Sequence, residues 1–237
     1  MKNVAIIQAR MGSTRLSRKS IMKINDDTLL GYLIKRVRCV EALDSIIVAT
    51  SNKQLDLKIG EIAEKHNVNV FRGSEGDVLD RFVKSARCVN AELIVRITAD
   101  NPFTDPQIMT TLIHSQEKKN VDYTWMKGLP VGIGSEVISM SALEKAAALA
   151  ILPYDREHVT SFIKCKPQLF KINVLEAPCE FNYPEYRLTV DYPEDYQLVR
   201  KIHECLNSND KFLSLKKIIQ FLKENPTIAR INRREEA

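Results

Sequence analysis

The sequence predicts an α/β fold in which a mostly parallel sheet lies between two layers of helices. Short apolar, β-branched runs at residues 4–7 and 45–50 alternate with segments of helical periodicity at residues 29–40 and 56–66. Strand, helix, strand, helix is the order that gives right-handed crossovers in a parallel sheet. With 237 residues, of which 44% are hydrophobic and 27% charged, the chain has the size and composition of one sizeable α/β domain.

Charge and composition indicate a small anionic substrate. The formal net charge of +5 is mild, and no basic stripe with interleaved aromatic residues is present, so we expect no nucleic-acid partner. No secretory leader is evident and no apolar run reaches the roughly 18 residues of a spanning helix, so we expect no membrane contact and a cytoplasmic location. The cysteines lie far apart without a CxxC pair, which predicts reduced thiols: Cys39, Cys88, Cys165, Cys179 and Cys205.

The first predicted strand, residues 4–7, ends in a run of small, polar and cationic residues typical of a phosphate-binding loop. Gly12 allows the backbone to approach a ligand closely, and three cations in one turn suit a triphosphate. A solvated basic turn is the structural alternative, since the run matches neither a Walker A loop nor the dinucleotide fingerprint. The candidate nucleotide-binding residues of the loop are Gln8, Ala9, Arg10, Gly12, Ser13, Thr14, Arg15 and Lys19.

The run IIQARMGSTRL, followed by Lys19, resembles the opening of the cytidylyltransferase superfamily, whose members make CMP-activated acidic sugars. The segments FRGSEGDVLDRF, VRITADNP, GSEVIS, REHVT and RLTVDYPEDY follow in the order seen in its SpsF-like branch of spore coat polysaccharide biosynthesis. The resemblance covers about residues 1–205 and implies the three-layer, Rossmann-like fold of nucleotide-diphospho-sugar transferases. One departure is visible, because Ser17 and Arg18 stand where the branch usually has Pro-Gly before the lysine.

A third strand is predicted at residues 68–71, followed by a glycine-containing loop and a helix at residues 78–89. The resemblance places this segment near the nucleoside, which makes Arg72, Asp80 and Arg81 candidates for base or ribose contacts. The residue pattern also supports a structural interpretation, in which Asp77 caps the helix and Arg81 pairs with Asp77 one turn later.

Two carboxylates follow predicted strands at residues 92–98 and 186–190. Asp100 and Asp191 would supply the hard oxygen ligands that Mg²⁺ takes, and the resemblance assigns both of them that role. Structural alternatives are a turn residue before Asn-Pro for Asp100 and a helix cap for Asp191. Because parallel strands end at one edge of a sheet, we expect the two side chains to lie within a few ångströms of each other.

Residues 121–185 differ in character from the first half and are predicted to cover the site, to select the acceptor and to contribute to a homodimer. Trp125, Glu136, Arg156 and His158 are the candidate acceptor-binding residues. Structural alternatives are core packing for Trp125 and for Tyr123, and a structural cap or a pairing with a nearby carboxylate for His158.

Further helices are predicted at residues 108–118, with Asp105 as the cap, and at residues 141–149 and 196–206. A helical extension at residues 207–237 completes a single domain of residues 1–237. Within it we expect a helix at residues 212–222 and a frayed end at residues 225–237.

The resemblance implies a Mg²⁺-dependent nucleotidyltransferase that joins CMP from CTP to an acidic or phosphorylated sugar-like acceptor and releases pyrophosphate, for surface polysaccharide or glycoconjugate biosynthesis. In that reaction Arg10, Arg15 and Lys19 would neutralise the phosphates. Two alternatives stay open: a sugar-1-phosphate nucleotidyltransferase that uses GTP or UTP, and a non-catalytic nucleotide-binding module.

Overall fold

The computed structural model describes residues 1–13, 15–206 and 212–234. Its strands are β1 (Asn3–Gln8), β2 (Lys23–Ile24), β3 (Asp27–Thr28), β4 (Ser45–Ser51), β5 (Asn69–Gly73), β6 (Leu93–Thr98), β7 (Tyr123–Lys127), β8 (Glu136–Ser139) and β9 (Ile172–Glu176). Its helices are α1 (Leu29–Val37), α2 (Leu57–Lys65), α3 (Val78–Cys88), α4 (Pro106–Lys119), α5 (Met140–Leu149), α6 (Pro153–Glu157), α7 (Ser161–Lys164), α8 (Pro193–Cys205), α9 (Leu215–Glu224) and α10 (Pro226–Ala229).

A seven-stranded sheet in the order β5-β4-β1-β6-β8-β7-β9 forms the centre of the molecule, and β2 and β3 form a separate small hairpin. Among the described strands of this sheet, β8 alone runs against the others, because it pairs antiparallel with both β6 and β7. The amino end of β8 therefore lies at the same edge as the carboxyl ends of β1 and β6. The predicted mostly parallel sheet is confirmed.

Helices cover both faces of the sheet. In β1, Ala5 and Ile7 face a core that includes α1, α2, α4, α8 and α9, while Val4 and Ile6 face a second core with α3, α5 and α7. This alternation is the period of two expected of a strand buried on both sides. The three-layer α/β architecture predicted from the sequence is thus confirmed. None of the described helices is long and apolar enough to cross a membrane.

Several local predictions hold at the helix ends. The Asp105 carboxylate accepts hydrogen bonds from the backbone N–H groups of Gln107 and Ile108, and Pro106 is the first residue of α4. The Asp77 carboxylate likewise accepts the N–H of Asp80 at the start of α3. Each cap satisfies backbone donors that have no partner within the first turn of a helix. All five cysteines are free, and all are exposed.

The prediction of a sheet strand at residues 186–190 is wrong. This segment makes one isolated bridge, between Arg187 and Val131, in which Leu188 N donates to Val131 O at 2.7 Å, and Val190 N donates to Asp100 O in the loop after β6. The edge position beside β7 is occupied by β9, which the sequence analysis did not predict. Residues 186–190 instead lie along the loops at the carboxyl edge of the sheet, which brings them to the end of β6.

The prediction of a frayed end at residues 225–237 is also wrong for the described part of that range. Residues 226–229 form α10, and Asn232 is only 4% exposed. The Asn232 amide donates to Arg187 O and to the Asp195 carboxylate, so the segment is anchored by polar contacts. Residues 207–211 and 235–237 of the predicted extension lie outside the described residues.

Gly132 allows the close approach between the loop after β7 and residues 188–189. Its φ is +95°, and a Cβ atom built there would lie 2.5 Å from Thr189 N and 2.8 Å from the carbonyl carbon of Leu188. Both contacts are to backbone, which cannot move aside as a side chain can. A side chain at this position would therefore push residues 187–190 away from the sheet edge.

Gly132→Ala should destabilise the protein by about 1 to 3 kcal/mol, because it adds a strained φ and a backbone clash at one position. Gly134→Ala is the matched control, since its Cβ would meet only the Leu129 side chain, at an ordinary 3.5 Å. Urea unfolding of both variants measures the difference. Equal stabilities would show that the contact between Gly132 and Thr189 does not constrain the fold.

Candidate active site

A cleft of about 150 Å³ opens at the carboxyl ends of β1 and β6. Most of the residues predicted from the sequence in the loop after β1, together with the carboxylates Asp100 and Asp191, come together in this cleft. Thr14, which was predicted to bind nucleotide, lies outside the described residues. The cleft is lined by Gln8, Ala9, Arg10, Ser13, Arg15, Lys19, Ser20, Thr98, Ala99, Asp100 and Asp191.

The buried carboxylate of Asp56 holds the start of the loop in place. Its Oδ1 accepts the backbone N–H of Met11 at 2.7 Å, and its Oδ2 accepts the Ser51 hydroxyl. The sequence pattern predicted Asp56 only as the beginning of a helix and gave no indication of this contact. A carboxylate followed by helical periodicity is typical of an ordinary helix start, so the local pattern carried no signal for the loop contact.

The loop closes on itself between Met11 and Arg18, since Arg18 N donates to Met11 O at 3.2 Å. Arg18 has a φ of +59°, the left-handed conformation that glycine adopts without strain. The resemblance places glycine at this position, so the turn keeps the glycine conformation with an arginine in it. Left-handed geometry costs a non-glycine residue about 1 to 2 kcal/mol.

Lys19 joins the two candidate carboxylates. Its Nζ lies 2.8 Å from Asp100 Oδ2 and 2.8 Å from Asp191 Oδ1, so these oxygens are separated by no more than twice that distance. Arg15 Nη2 also contacts Asp191 Oδ1, at 3.1 Å, and Arg187 Nη2 contacts Asp191 Oδ2 at 2.5 Å. The expected approach of Asp100 and Asp191 is present in the structure.

The charges around Asp191 favour its ionised form. Burial by itself raises the pKa of this carboxyl, but Lys19, Arg15 and Arg187 outweigh that effect and lower the pKa below its ordinary value. Asp191 therefore carries a negative charge at neutral pH and is available to a cation.

Asp191 reaches this position by a route different from the predicted one. Val190 N donates to the backbone oxygen of Asp100 at 2.8 Å, which ties the crossing segment directly to the end of β6. The residue that caps α8 is Tyr192, so the alternative of Asp191 as the helix cap does not hold.

The candidate nucleoside contacts lie around β4, β5 and α3. The Arg72 guanidinium donates to the backbone oxygens of Ser51 and Lys53, and Asp80 pairs with Lys84. Arg72 and Asp80 keep their nucleoside roles as predictions.

Arg81 is fully buried, and its Nη1 donates to the backbone oxygen of Ser74. Among the described residues its Nε and Nη2 have no hydrogen-bond partner. Burial, and then the nearby charge of Arg10, lower the pKa of Arg81 to about 10. The structural alternative is wrong in one respect, because the ion-pair partner of Asp77 is Arg156 rather than Arg81.

The candidate acceptor residues do not line the cleft described above. Arg156 binds the Asp77 carboxylate through Nε and Nη2 and donates to Ala147 O, so its guanidinium connects α6 to α3 and α5. His158 is exposed, and its ring lies 4.4 Å from that of Tyr154. Acceptor binding by these two residues stays a prediction.

Glu136 lies in a dense polar network at the start of β8. Its carboxylate accepts from Arg96, from Lys164, from the Tyr123 hydroxyl and from Thr160. Burial alone would raise the pKa of Glu136, but Arg96 and Lys164 outweigh it, and the pKa lies at about 2. If Glu136 binds the acceptor, it must do so while its carboxylate keeps its contacts with these four side chains.

The two aromatic residues of β7 differ in burial. Tyr123 is fully buried, as the packing alternative predicted, whereas Trp125 is half-buried with Lys164 Nζ 5.2 Å from its ring. A partly accessible ring beside a cation remains a candidate wall for an acceptor.

Glu157 is a further residue that the sequence analysis missed. Its Oε1 pairs with Arg10 Nη2 at 3.0 Å, which links α6 to the loop after β1. Because both side chains are partly exposed, this ion pair contributes little to stability, and Arg10 can exchange it for a phosphate.

The donor set suits Mg²⁺ bound together with a phosphate. In the part of the chain that the structure describes, no three His, Cys, Asp or Glu side chains form a complete metal site. Asp100 and Asp191 supply two hard oxygens that already enclose a cation, the Lys19 ammonium. Mg²⁺ in nucleotide enzymes is commonly held by one or two carboxylates plus substrate phosphates. The residues present therefore fit this ion.

Comparison with known proteins agrees with the geometry. A family model described as Cytidylyltransferase matches residues 4–228. The spore coat polysaccharide biosynthesis protein SpsF of Bacillus subtilis is 38% identical over 229 residues, which are 94% of this chain and 95% of that protein. An uncharacterised protein of Methanocaldococcus jannaschii is 41% identical over 232 residues, 98% of this chain and 95% of the relative. The structure of a cytidylyltransferase from Leptospira borgpetersenii superposes with a TM-score of 0.91 at 32% identity, covering 100% of both chains.

The Glu136 network should make part of the free energy of unfolding depend on pH in the acidic range. A carboxyl whose pKa falls from 4.5 to about 2 on folding contributes stability on the order of 3 kcal/mol. That contribution is complete above pH 4.5 and is lost as the pH falls towards 2. Chemical unfolding of the wild type and of Glu136→Gln should therefore differ at pH 7 and converge at acidic pH.

Glu176→Gln is the matched control for this measurement. Glu176 forms an ion pair with Lys127 in which both side chains are more than half exposed, so its loss should change stability little at any pH. A Glu136→Gln effect that stays constant between pH 7 and pH 2 would contradict the assigned cause.

Proposed function

Because the chain belongs to the cytidylyltransferase family, we propose that it transfers CMP from CTP to an acidic or phosphorylated sugar-like acceptor and releases pyrophosphate. The observation that carries the proposal is the position of Lys19, at the end of a cationic loop and between Asp100 and Asp191. The loop offers positive charge to phosphates, and the two carboxylates offer oxygen ligands to a metal ion beside them. A role in surface polysaccharide synthesis is supported by the similarity to SpsF.

The loop cations would bind the phosphates of the nucleotide. Arg10, Arg15 and Lys19 all line the cleft, and each now pairs with a carboxylate that a polyphosphate would replace. Charge-assisted hydrogen bonds from arginine and lysine to phosphate are shorter and stronger than neutral ones. Neutralising the β- and γ-phosphates makes pyrophosphate a better leaving group.

Asp100 and Asp191 would hold Mg²⁺ when the nucleotide binds. The ion would supply Lewis-acid stabilisation of charge on the phosphoryl oxygens. As the Lys19 ammonium moves to the phosphates, Asp100 and Asp191 lose the cation they share in the structure described here. Arg187 keeps its contact with Asp191 Oδ2 and so preserves the orientation of that carboxylate.

The acceptor would supply an oxygen nucleophile that attacks the α-phosphorus in line with the departing pyrophosphate. Positioning and charge neutralisation carry most of the rate in such transfers, so the protein needs no covalent intermediate. The acceptor is expected over the later strands of the sheet, near Trp125 and residues 127–135, where the edge is formed by loops.

CTP with Mg²⁺ should raise the melting temperature more than GTP, UTP or ATP with Mg²⁺, because a ligand that binds only the native state stabilises it. Pyrophosphate release measured with a panel of acidic sugars and sugar phosphates then identifies the acceptor. EDTA should abolish pyrophosphate release and weaken the stabilisation by CTP, because Arg10, Arg15 and Lys19 can still bind the phosphates without the ion. Stabilisation by GTP or UTP alone would favour the sugar-1-phosphate alternative, and no shift with any of the four nucleotides would contradict the proposal.

Lys19→Met should lower pyrophosphate release at least about tenfold, since a charge-assisted contact to phosphate is lost. The nucleotide-free variant should also be less stable, because Asp100 and Asp191 lose their shared cation and repel each other. Adding Asp100→Asn to Lys19→Met should restore that stability and leave the activity low. Thermal unfolding and the release assay test these effects separately.

Lys23→Met is the control for this series, since Lys23 is an exposed residue of β2 outside the cleft. It should behave as the wild type in both assays. Full activity in Lys19→Met would mean that the loop is only a basic turn.

A further inference from the structure

We propose that the segment at residues 230–234 completes the active site by holding the buried carboxylate of Asp195, which in turn positions Asp191. The inference rests on the proposed function in that it takes Asp191 as a ligand of the metal–nucleotide complex. In this scheme Asp195, Asn232 and Arg234 are positioning residues, since none of them lines the cleft.

Asp195 is fully buried in the first turn of α8, where its carboxylate receives five hydrogen bonds. Three donors lie close in sequence: Arg187 Nε at 3.2 Å and the backbone N–H groups of Asp191 and Tyr192 at 2.9 and 3.0 Å. The other two come from the C-terminal segment, Asn232 Nδ2 at 2.8 Å and Arg234 Nη2 at 3.3 Å.

A buried carboxylate needs such a set of donors. Removing an ionised group from water costs several kcal/mol, which only charged partners and well-aligned hydrogen bonds offset. Two of the donors to Asp195 are guanidinium groups, of which that of Arg187 is half-buried and that of Arg234 is partly exposed. Asn232 supplies the shortest of the five bonds, and it is itself buried.

The contacts of Asp195 pass directly to Asp191. Asp195 Oδ2 holds the backbone N–H of Asp191, and the Arg187 guanidinium bridges Asp195 Oδ1 and Asp191 Oδ2. With its backbone and one oxygen fixed, Asp191 directs its other oxygen, Oδ1, at Lys19 and Arg15. That oxygen is the one available to a metal ion.

Asn232 also fixes the segment that carries Arg187. Its Nδ2 donates to Arg187 O at 2.9 Å in addition to the Asp195 carboxylate. A single amide group therefore holds both residues that constrain Asp191. Outer residues of this kind typically change metal affinity 10- to 100-fold when they are replaced, although they do not touch the ion.

The test compares Asn232→Ala and Arg234→Ala with Arg233→Ala, an exposed neighbour that makes no described contact with Asp195. Mn²⁺ binding in the presence of CTP, followed by electron paramagnetic resonance, serves as the readout of the carboxylate site. We expect Asn232→Ala to weaken Mn²⁺ binding about tenfold, Arg234→Ala to weaken it less, and Arg233→Ala to leave it unchanged. CTP binding without metal should change less than twofold in all three.

A crystal structure of Asn232→Ala provides a readout that does not depend on the proposed activity. Displacement of Asp191 Oδ1 from Lys19 Nζ, which lie 2.8 Å apart here, supports the inference. An unmoved Asp191, or Mn²⁺ binding in Asn232→Ala equal to that of the wild type, overturns it. If the wild-type protein binds neither Mn²⁺ nor CTP, the proposed function fails, and the position of Asp191 still decides whether Asn232 controls it. If Asn232→Ala folds poorly, Mn²⁺ binding by Arg234→Ala still tests the inference, because the Arg234 side chain is partly exposed.

Discussion

The candidate site depends on a cation between Asp100 and Asp191. Two carboxylates this close repel each other unless a positive charge lies between them or one of them takes up a proton. In the structure the Lys19 ammonium supplies that charge, while Arg15 shares Asp191 Oδ1 with it and Arg187 contacts Asp191 Oδ2. The loop after β1 and the segment before α8 are thus electrostatically coupled, and in the proposed reaction a divalent ion held by Asp100 and Asp191 would leave the Lys19 ammonium available to the phosphates.

This charge arrangement requires a fold that brings three separate segments to one edge. The parallel pairing of β1 and β6 aligns the loop with Asp100, and the backbone bond from Val190 to Asp100 adds Asp191. Gly132 allows residues 187–190 to lie against the sheet edge without a side chain between them. The Asp56 carboxylate fixes the start of the loop after β1 by accepting the backbone N–H of Met11.

Much of the sheet and of the candidate site could be predicted from sequence because buried parallel strands have a distinctive composition. The runs that became β1, β4, β5 and β6 are apolar and β-branched and end in turn residues, so both the strands and the residues after them were identifiable. The run at residues 186–190 has the same composition, but its hydrogen-bond partners are loops, and composition does not reveal the partner. β9 was missed because it is an edge strand with outward positions such as Val174, which is 44% exposed.

Polar contacts between segments far apart in the chain could not be predicted from the sequence pattern. Asn232 and Asp195 are ordinary residues of a tail and of a helix start, and only the folded chain shows that one completes the hydrogen bonding of the other. The same holds for Glu157 with Arg10 and for Asp56 with Met11. Family resemblance indicated candidate substrate-binding residues, whereas it gave no information about the residues that hold them in place.

The bond between Lys19 and Asp191 also bears on the order of folding. It connects residues 172 positions apart, so the chain must close a loop of most of its length before the contact exists. During synthesis the cationic loop is made first, Asp100 follows directly after β6, and Asp191 follows only after all strands of the sheet have been translated. A chain that ends before Asp191 therefore carries Arg15 and Lys19 without that carboxylate, and the cleft acquires its balance of charge in one of the last steps of folding.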